Sequence, residues 1–178
     1  MKRDGKSKMY NARIVQQVKR KEKAMTGILK KVMILFAVLF VVIGITIEQG
    51  FMLPGFLVTG LYFIYDVLSQ REYEYVLEDG RLEISVILGG RYRKEAHVLE
   101  LKDIEAVAPS RHEKVAEYLK EGGSVRLPKY DYTSYEENVP YYTMIVMENK
   151  QKIKILMDLN GEMLEYMKRL YPDKVFLQ

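Results

Sequence analysis

Three arginines, Arg81, Arg91 and Arg93, are the side chains best suited to binding chemistry. Arg91 and Arg93 follow Gly89-Gly90 at the start of a predicted strand, and alternation puts both on one face. Arg81 belongs to the strand before them. Guanidinium groups offer planar forks of donors that match phosphate oxygens, so three on one rim can hold a lipid headgroup. Glu83 and Glu95 are close enough in the same pattern to make an ordinary cross-strand charge ladder instead.

A second cluster is aromatic. Tyr130, Tyr132, Tyr135, Tyr141 and Tyr142 gather five of the fourteen tyrosines between Pro128 and Thr143. Tyrosine supplies stiff, amphipathic contact area of the kind protein interfaces use, which makes Tyr130, Tyr132 and Tyr135 possible partner contacts. The alternative is a loop that folds back and buries its rings.

Catalytic chemistry finds little support. No phosphate-binding glycine loop, no nucleophile elbow and no paired-histidine zinc helix occurs. The lack of cysteine removes thiolate metal sites and cysteine nucleophiles, and it fits a reducing compartment without requiring one. His97 and His112 are isolated, so no metal ligand set, cofactor or catalytic residue is expected. An enzyme at a membrane face would have to draw on Asp103, Glu105 or His97.

The elements that must position these groups begin with two apolar runs, Val32 to Ile47 and Phe51 to Tyr65, parted only by Glu48-Gln49-Gly50. Extended back through Ile28, the first reaches about 20 residues at 1.5 Å each, which matches a hydrocarbon core of about 30 Å. Lys30 and Lys31 are expected to snorkel. Pro54 suits the opening of a second helix, and Tyr62 and Tyr65 suit the interface. Gly55 and Thr59 share a face opposite Gly44, which permits close approach within the hairpin or self-association between copies. Two spans are predicted, at about 28–47 and 51–68 of a 28–69 hairpin.

Charge orients the hairpin. Residues 1–31 carry eleven Lys or Arg against Asp4 and Glu22, and the turn carries only Glu48. The positive-inside rule then places a multi-pass protein in the cytoplasmic membrane, with both termini in the cytoplasm. The basic arm, 1–27, is expected to meet anionic headgroups of the bilayer. Tyr10, Ile14 and Val18 recur every fourth residue, which suggests either an amphipathic helix on the surface or a disordered basic tail. Residues 71–178 hold seventeen basic and twenty acidic side chains, so they lack the basic footprint of a nucleic-acid partner.

Those 108 residues alternate as short strands closed by a helix. Asp79-Gly80 and Asn149-Lys150 read as two-residue turns, with strands on either side. Ser110 and Glu113 make a capping box that predicts a helix over 111–121 ending at Gly122. Met163, Leu164, Met167, Leu170 and Tyr171 form a stripe that predicts a last helix stopped by Pro172. Lys168, off that stripe, is expected to contribute little.

About seven strands followed by one amphipathic helix is the element order of a pleckstrin-homology (PH) like barrel. The stretch Glu74 to Ile84, then Leu101-Lys102-Asp103-Ile104-Glu105, resembles the opening of bacterial membrane-anchored PH-like domains. Lys129 to Ser134, Tyr141-Tyr142 and Asn160 to Leu164 are similar to a family of small two-span Gram-positive (clostridial-type) membrane proteins. The resemblance implies an α+β fold: a transmembrane hairpin, then an antiparallel barrel over 71–178 with a capping helix. It implies a non-enzymatic membrane-anchored scaffold whose cytoplasmic domain binds a protein partner or the lipid surface. The alternatives are an accessory subunit of a transporter and a membrane-surface enzyme.

Overall fold

The computed structural model describes residues 13–118 and 125–177. Its elements run β1 (Ile14–Lys19), α1 (Ala24–Thr46), α2 (Met52–Ser69), β2 (Arg71–Glu78), β3 (Arg81–Leu88), β4 (Tyr92–Glu100), β5 (Ile104–Pro109), α3 (Glu113–Ala116), β6 (Lys129–Asp131), β7 (Tyr142–Glu148), β8 (Gln151–Met157) and α4 (Gly161–Leu170). The chain divides into two compact units. One holds β1 with Arg20, then Tyr73–Val86 and the residues from Lys94 onward; the other holds Lys21–Glu72 with Ile87–Arg93.

The second unit is built on the helical hairpin. A 3-10 turn, Gln49–Phe51, reverses the chain, and Pro54 lies in the first turn of α2, where a proline removes no intrahelical bond. The helices touch through glycine. A Cβ added to Gly55 would lie 3.2 Å from Phe40 Cβ and 3.4 Å from the Ala37 carbonyl oxygen. At Gly44 it would meet Met52 Cγ at 2.5 Å and the Met52 nitrogen at 2.9 Å. These small residues thus let α1 and α2 approach within one hairpin. Lys30 does not reach out alone: its Nζ lies 2.7 Å from Glu22 Oε1 and 2.7 Å from Asp66 Oδ1, joining the two helices at their base.

Both helices are long and apolar enough to cross a bilayer. Their side chains are scarcely covered, and Leu35, Leu53 and Phe56 are each about two-thirds exposed (66, 67 and 66%). Exposure on this scale leaves a wide contiguous apolar surface on the hairpin.

In the other unit the strands make two four-stranded sheets, β1-β2-β3-β4 and β5-β7-β8-β6, where sequence pattern predicts a single barrel of about seven. Asp79 (φ 48°) with Gly80 (φ 76°), and Asn149 (φ 49°) with Lys150 (φ 65°), take the left-handed conformations that a type I′ hairpin requires. The second hairpin pairs Tyr142 with Met157 through to Glu148 with Gln151. Not every pairing is antiparallel. β6 runs parallel to β8, with Tyr130 opposite Ile155. One buried apolar cluster joins the sheets, including Ile14, Tyr75, Leu82, Met144 and Ile155, and α4 adds Met163, Leu164, Tyr166 and Met167. The Asn160 side chain caps α4 by accepting from the Met163 N–H at 2.8 Å.

Several expectations need correction. Ile14–Lys19 is a strand, not an amphipathic helix on the bilayer: Ile14 and Val18 are buried in the core, and a spacing of four serves a strand as well as a helix. Tyr10 lies outside the described residues. Ser110 does not cap α3. It sits in a turn after β5, closed by the His112 N–H on the Pro109 carbonyl at 3.0 Å, and the His112 ring accepts from the Lys114 N–H. The predicted stop at Gly122 lies outside the described residues. Lys168 is engaged as well: it donates to the Pro172 and Val175 carbonyls at 2.6 and 2.7 Å. These bonds hold the tail that runs back beside Val107 of β5.

Candidate functional site

The β-rich unit carries an open cleft of about 740 Å³. β6 supplies Lys129 and Asp131, the loop after it supplies Thr133, Tyr135 and Glu136 through Tyr141, and Pro109 to Arg111 close the other side. Leu156 and Asp158, at the end of β8, also line it. The lining mixes tyrosine, proline and valine with charges of both signs.

The rim is held from far away in sequence. Arg20, just past β1, donates from Nη2 to the Asp131 carbonyl at 3.0 Å and to its Oδ1 at 3.1 Å, and from Nε to the Thr133 carbonyl at 3.3 Å. The same guanidinium lies 4.1 Å from the centre of the Tyr135 ring, a cation–π geometry. Tyr135 has φ of 62°, rare for a bulky residue, and remains 42% exposed with its hydroxyl donating to Asp131 Oδ2 at 3.3 Å. Burial works against the Asp131 charge. Hydrogen bonds from Thr133 and the charges of Lys129 and Arg20 outweigh it and hold the carboxyl below its usual range. Asp158 fixes the start of the loop by accepting from the Ser134 N–H at 2.7 Å.

The structure divides the predicted tyrosine cluster. Tyr132 and Tyr142 are buried in the core. Tyr132 packs edge-on against Tyr73 and takes a 2.7 Å hydrogen bond from the Tyr75 hydroxyl at its carbonyl. Tyr130 is exposed at 39% and stands 4.5 Å from the His97 ring. Tyr135 and Tyr141 stay exposed and line the cleft. Sequence reasoning missed Arg20, Asp131 and Asp158, the groups that hold this site together. The alternation of Ile14 and Val18 with exposed Val15 and Gln17 was the available signal for the strand that carries Arg20.

Arg81 opens β3 in the β-rich unit, whereas Arg91 and Arg93 fall in the hairpin unit. Arg81 lines a shallow depression with Glu78, Asp79, Glu83 and Glu100, an environment for a cation. Arg91 and Arg93 flank the Gly89-Gly90 turn, which belongs to the hairpin unit. The Gly89 N–H donates to the Gln70 carbonyl at 2.9 Å, and a Cβ there would meet Val67 Cγ1 at 2.7 Å.

The three residues named for a membrane-surface enzyme stand apart from the cleft. His97 is buried, with Nδ1 at 2.9 Å from both carboxylate oxygens of Glu148. Glu105 pairs with Lys152 at 2.6 Å, and Asp103 is exposed at the end of a 3-10 turn anchored by buried Leu101. None of the three lines the cleft.

Two sheets packed with a C-terminal helix define the class: a PH-like domain, carrying a helical hairpin near its N-terminus. The family model described as "Bacterial PH-like domain (DUF6106)" matches residues 14–177, and the chain belongs to that family. The match begins at the first residue of β1, so it takes in that strand and the hairpin. No curated protein and no solved structure matches the chain significantly. PH-like domains are in general binding modules rather than catalysts.

Proposed function

We propose that this protein is a membrane-anchored, non-enzymatic binding module whose PH-like domain receives a segment of a protein partner in the Tyr135–Tyr141 cleft. The observation that carries this reading is Tyr135 itself. An aromatic held at positive φ with its side chain partly exposed over a charged support carries local backbone strain. Local strain of this kind concentrates at binding sites. A lining of tyrosine, proline and both charge signs suits a polypeptide, which offers apolar side chains together with backbone donors and acceptors.

Connectivity supports the anchor. α1 and α2 leave from β1 and return to β2, and those strands are neighbours in one sheet. If the helices cross a bilayer, they must come back to the side they left. The basic excess before α1, with none at the tip, selects the cytoplasmic side for the domain.

A photo-crosslinking residue at Tyr141 in native membranes tests the partner. The expected result is a discrete protein adduct that Tyr135→Ala removes and that the same label at exposed Lys102 does not give. Identical labelling from both positions would overturn the assignment of the cleft.

A further inference from the structure

The geometry points to a basic collar at the base of the hairpin that selects anionic lipid headgroups, with the β3–β4 turn supplying part of it. This inference rests on the reading of the hairpin as a membrane anchor. Lys21 and Lys23 precede α1, Lys31 lies in its second turn, and Arg71 follows α2. Arg91 and Arg93 join them because their turn is docked on the end of α2: Gly89 donates to Gln70, and only a glycine fits against Val67 there. All six side chains are exposed and belong to one compact unit.

The opposing carboxylates are largely occupied. Glu22 and Asp66 both pair with Lys30, a seventh cation, and Glu72, the other acid at this end, is engaged too, so the collar carries a net positive charge. A ring of cations at the level where apolar helix gives way to strand faces lipid phosphate, not the hydrocarbon or bulk water. Each such cation gains from a negative surface, and the gain falls with salt. A bidentate guanidinium also matches phosphate geometry better than a diffuse charge would. Arg81, in the β-rich unit and among carboxylates, is not assigned to it.

The test uses the full chain reconstituted in phosphatidylcholine vesicles with spin-labelled phosphatidylglycerol or spin-labelled phosphatidylcholine as probe. The protein should select phosphatidylglycerol in its motionally restricted shell, and selection should weaken as salt rises. Arg91→Gln with Arg93→Gln should bring the preference down towards parity, and Lys21→Gln with Lys31→Gln should lower it independently. Lys102→Gln with Lys150→Gln, in the other unit, should leave it unchanged. Retention of the protein in carbonate-washed vesicles without phosphatidylglycerol selection, or selection indifferent to both collar pairs, would overturn the collar alone. Loss of the protein from those washed vesicles would overturn the anchor reading, and the collar with it.

Discussion

Gln16 and Asn160 stand 144 positions apart, and the Asn160 N–H donates to Gln16 Oε1 at 2.9 Å. Gln16 returns the bond two residues earlier, from Nε2 to the Asp158 carbonyl at 2.7 Å. One amide side chain in the strand before the hairpin therefore fastens the loop that leads into the last helix. Gln16→Ala should cost about 1–3 kcal/mol, the sum of two net hydrogen bonds. Gln17, which faces the other way and makes one longer bond of 3.3 Å to Glu74, should cost less. Denaturation midpoints of the full chain in mild detergent compare the two; equal effects would mean that β1 is not docked through Gln16.

Acid should release the Arg20–Asp131 support. Because the folded-state pKa of Asp131 is lowered, its stabilising contribution is complete above the unfolded value of about 3.9 and fades as pH falls through the folded one. Wild type should exceed Asp131→Asn in stability at neutral pH, and the gap should close below about pH 4. A gap that does not change with pH would place the effect outside the carboxylate.

Glycines in the hairpin should separate by position. Gly55→Val forces atoms onto Phe40, Val41 and the Ala37 carbonyl, so it should cost about 1–3 kcal/mol as overpacking. Gly60 has nothing within 4 Å of an added Cβ, and Gly60→Ala should be neutral or stabilising by up to about 1 kcal/mol. Thermal unfolding in detergent reads both. The prediction fails if Gly60→Ala is the more damaging change.

On α4, Met167 is fully buried and its truncation to Ala should cost about 2–5 kcal/mol. Lys168→Ala should also be felt, at about 1–3 kcal/mol, because it strips two carbonyls of a charged donor. Exposed Glu165→Ala should stay within about 0.5 kcal/mol. A Lys168 effect as small as that of Glu165 would show that the C-terminal tail does not depend on it.

Topology has a direct readout. Single cysteines at Gln49, in the turn, and at Lys150, in the exposed β7–β8 turn, should label differently in intact cells. An impermeant maleimide should react at the first position only; the reverse pattern would invert the orientation.

What the sequence reveals depends on whether the physics is local. The Asp79-Gly80 and Asn149-Lys150 turns, the apolar hairpin and the stripe on α4 are each set within a few residues, and each stands where pattern places it. β1 was hidden because four is a multiple of two, so one spacing suits both a helix face and a strand face. The parallel pairing of β6 with β8, and the meeting of Arg20 with Tyr135, join positions more than twenty and more than a hundred residues apart. No local rule selects such partners.

The hairpin is an insertion between two adjacent strands, and that makes the attachment double. A protease that cuts at Gln70 severs α2 from β2, yet the β-rich unit stays joined to α1 through β1, which is paired in the sheet and buried at Ile14 and Val18. A cut at Lys21 or Lys23 leaves β2 covalently attached and β1 held by pairing alone. Shedding the domain intact therefore takes two nicks. After the single cut at Gln70, β1 must leave the sheet before the remainder of the domain can depart from the hairpin.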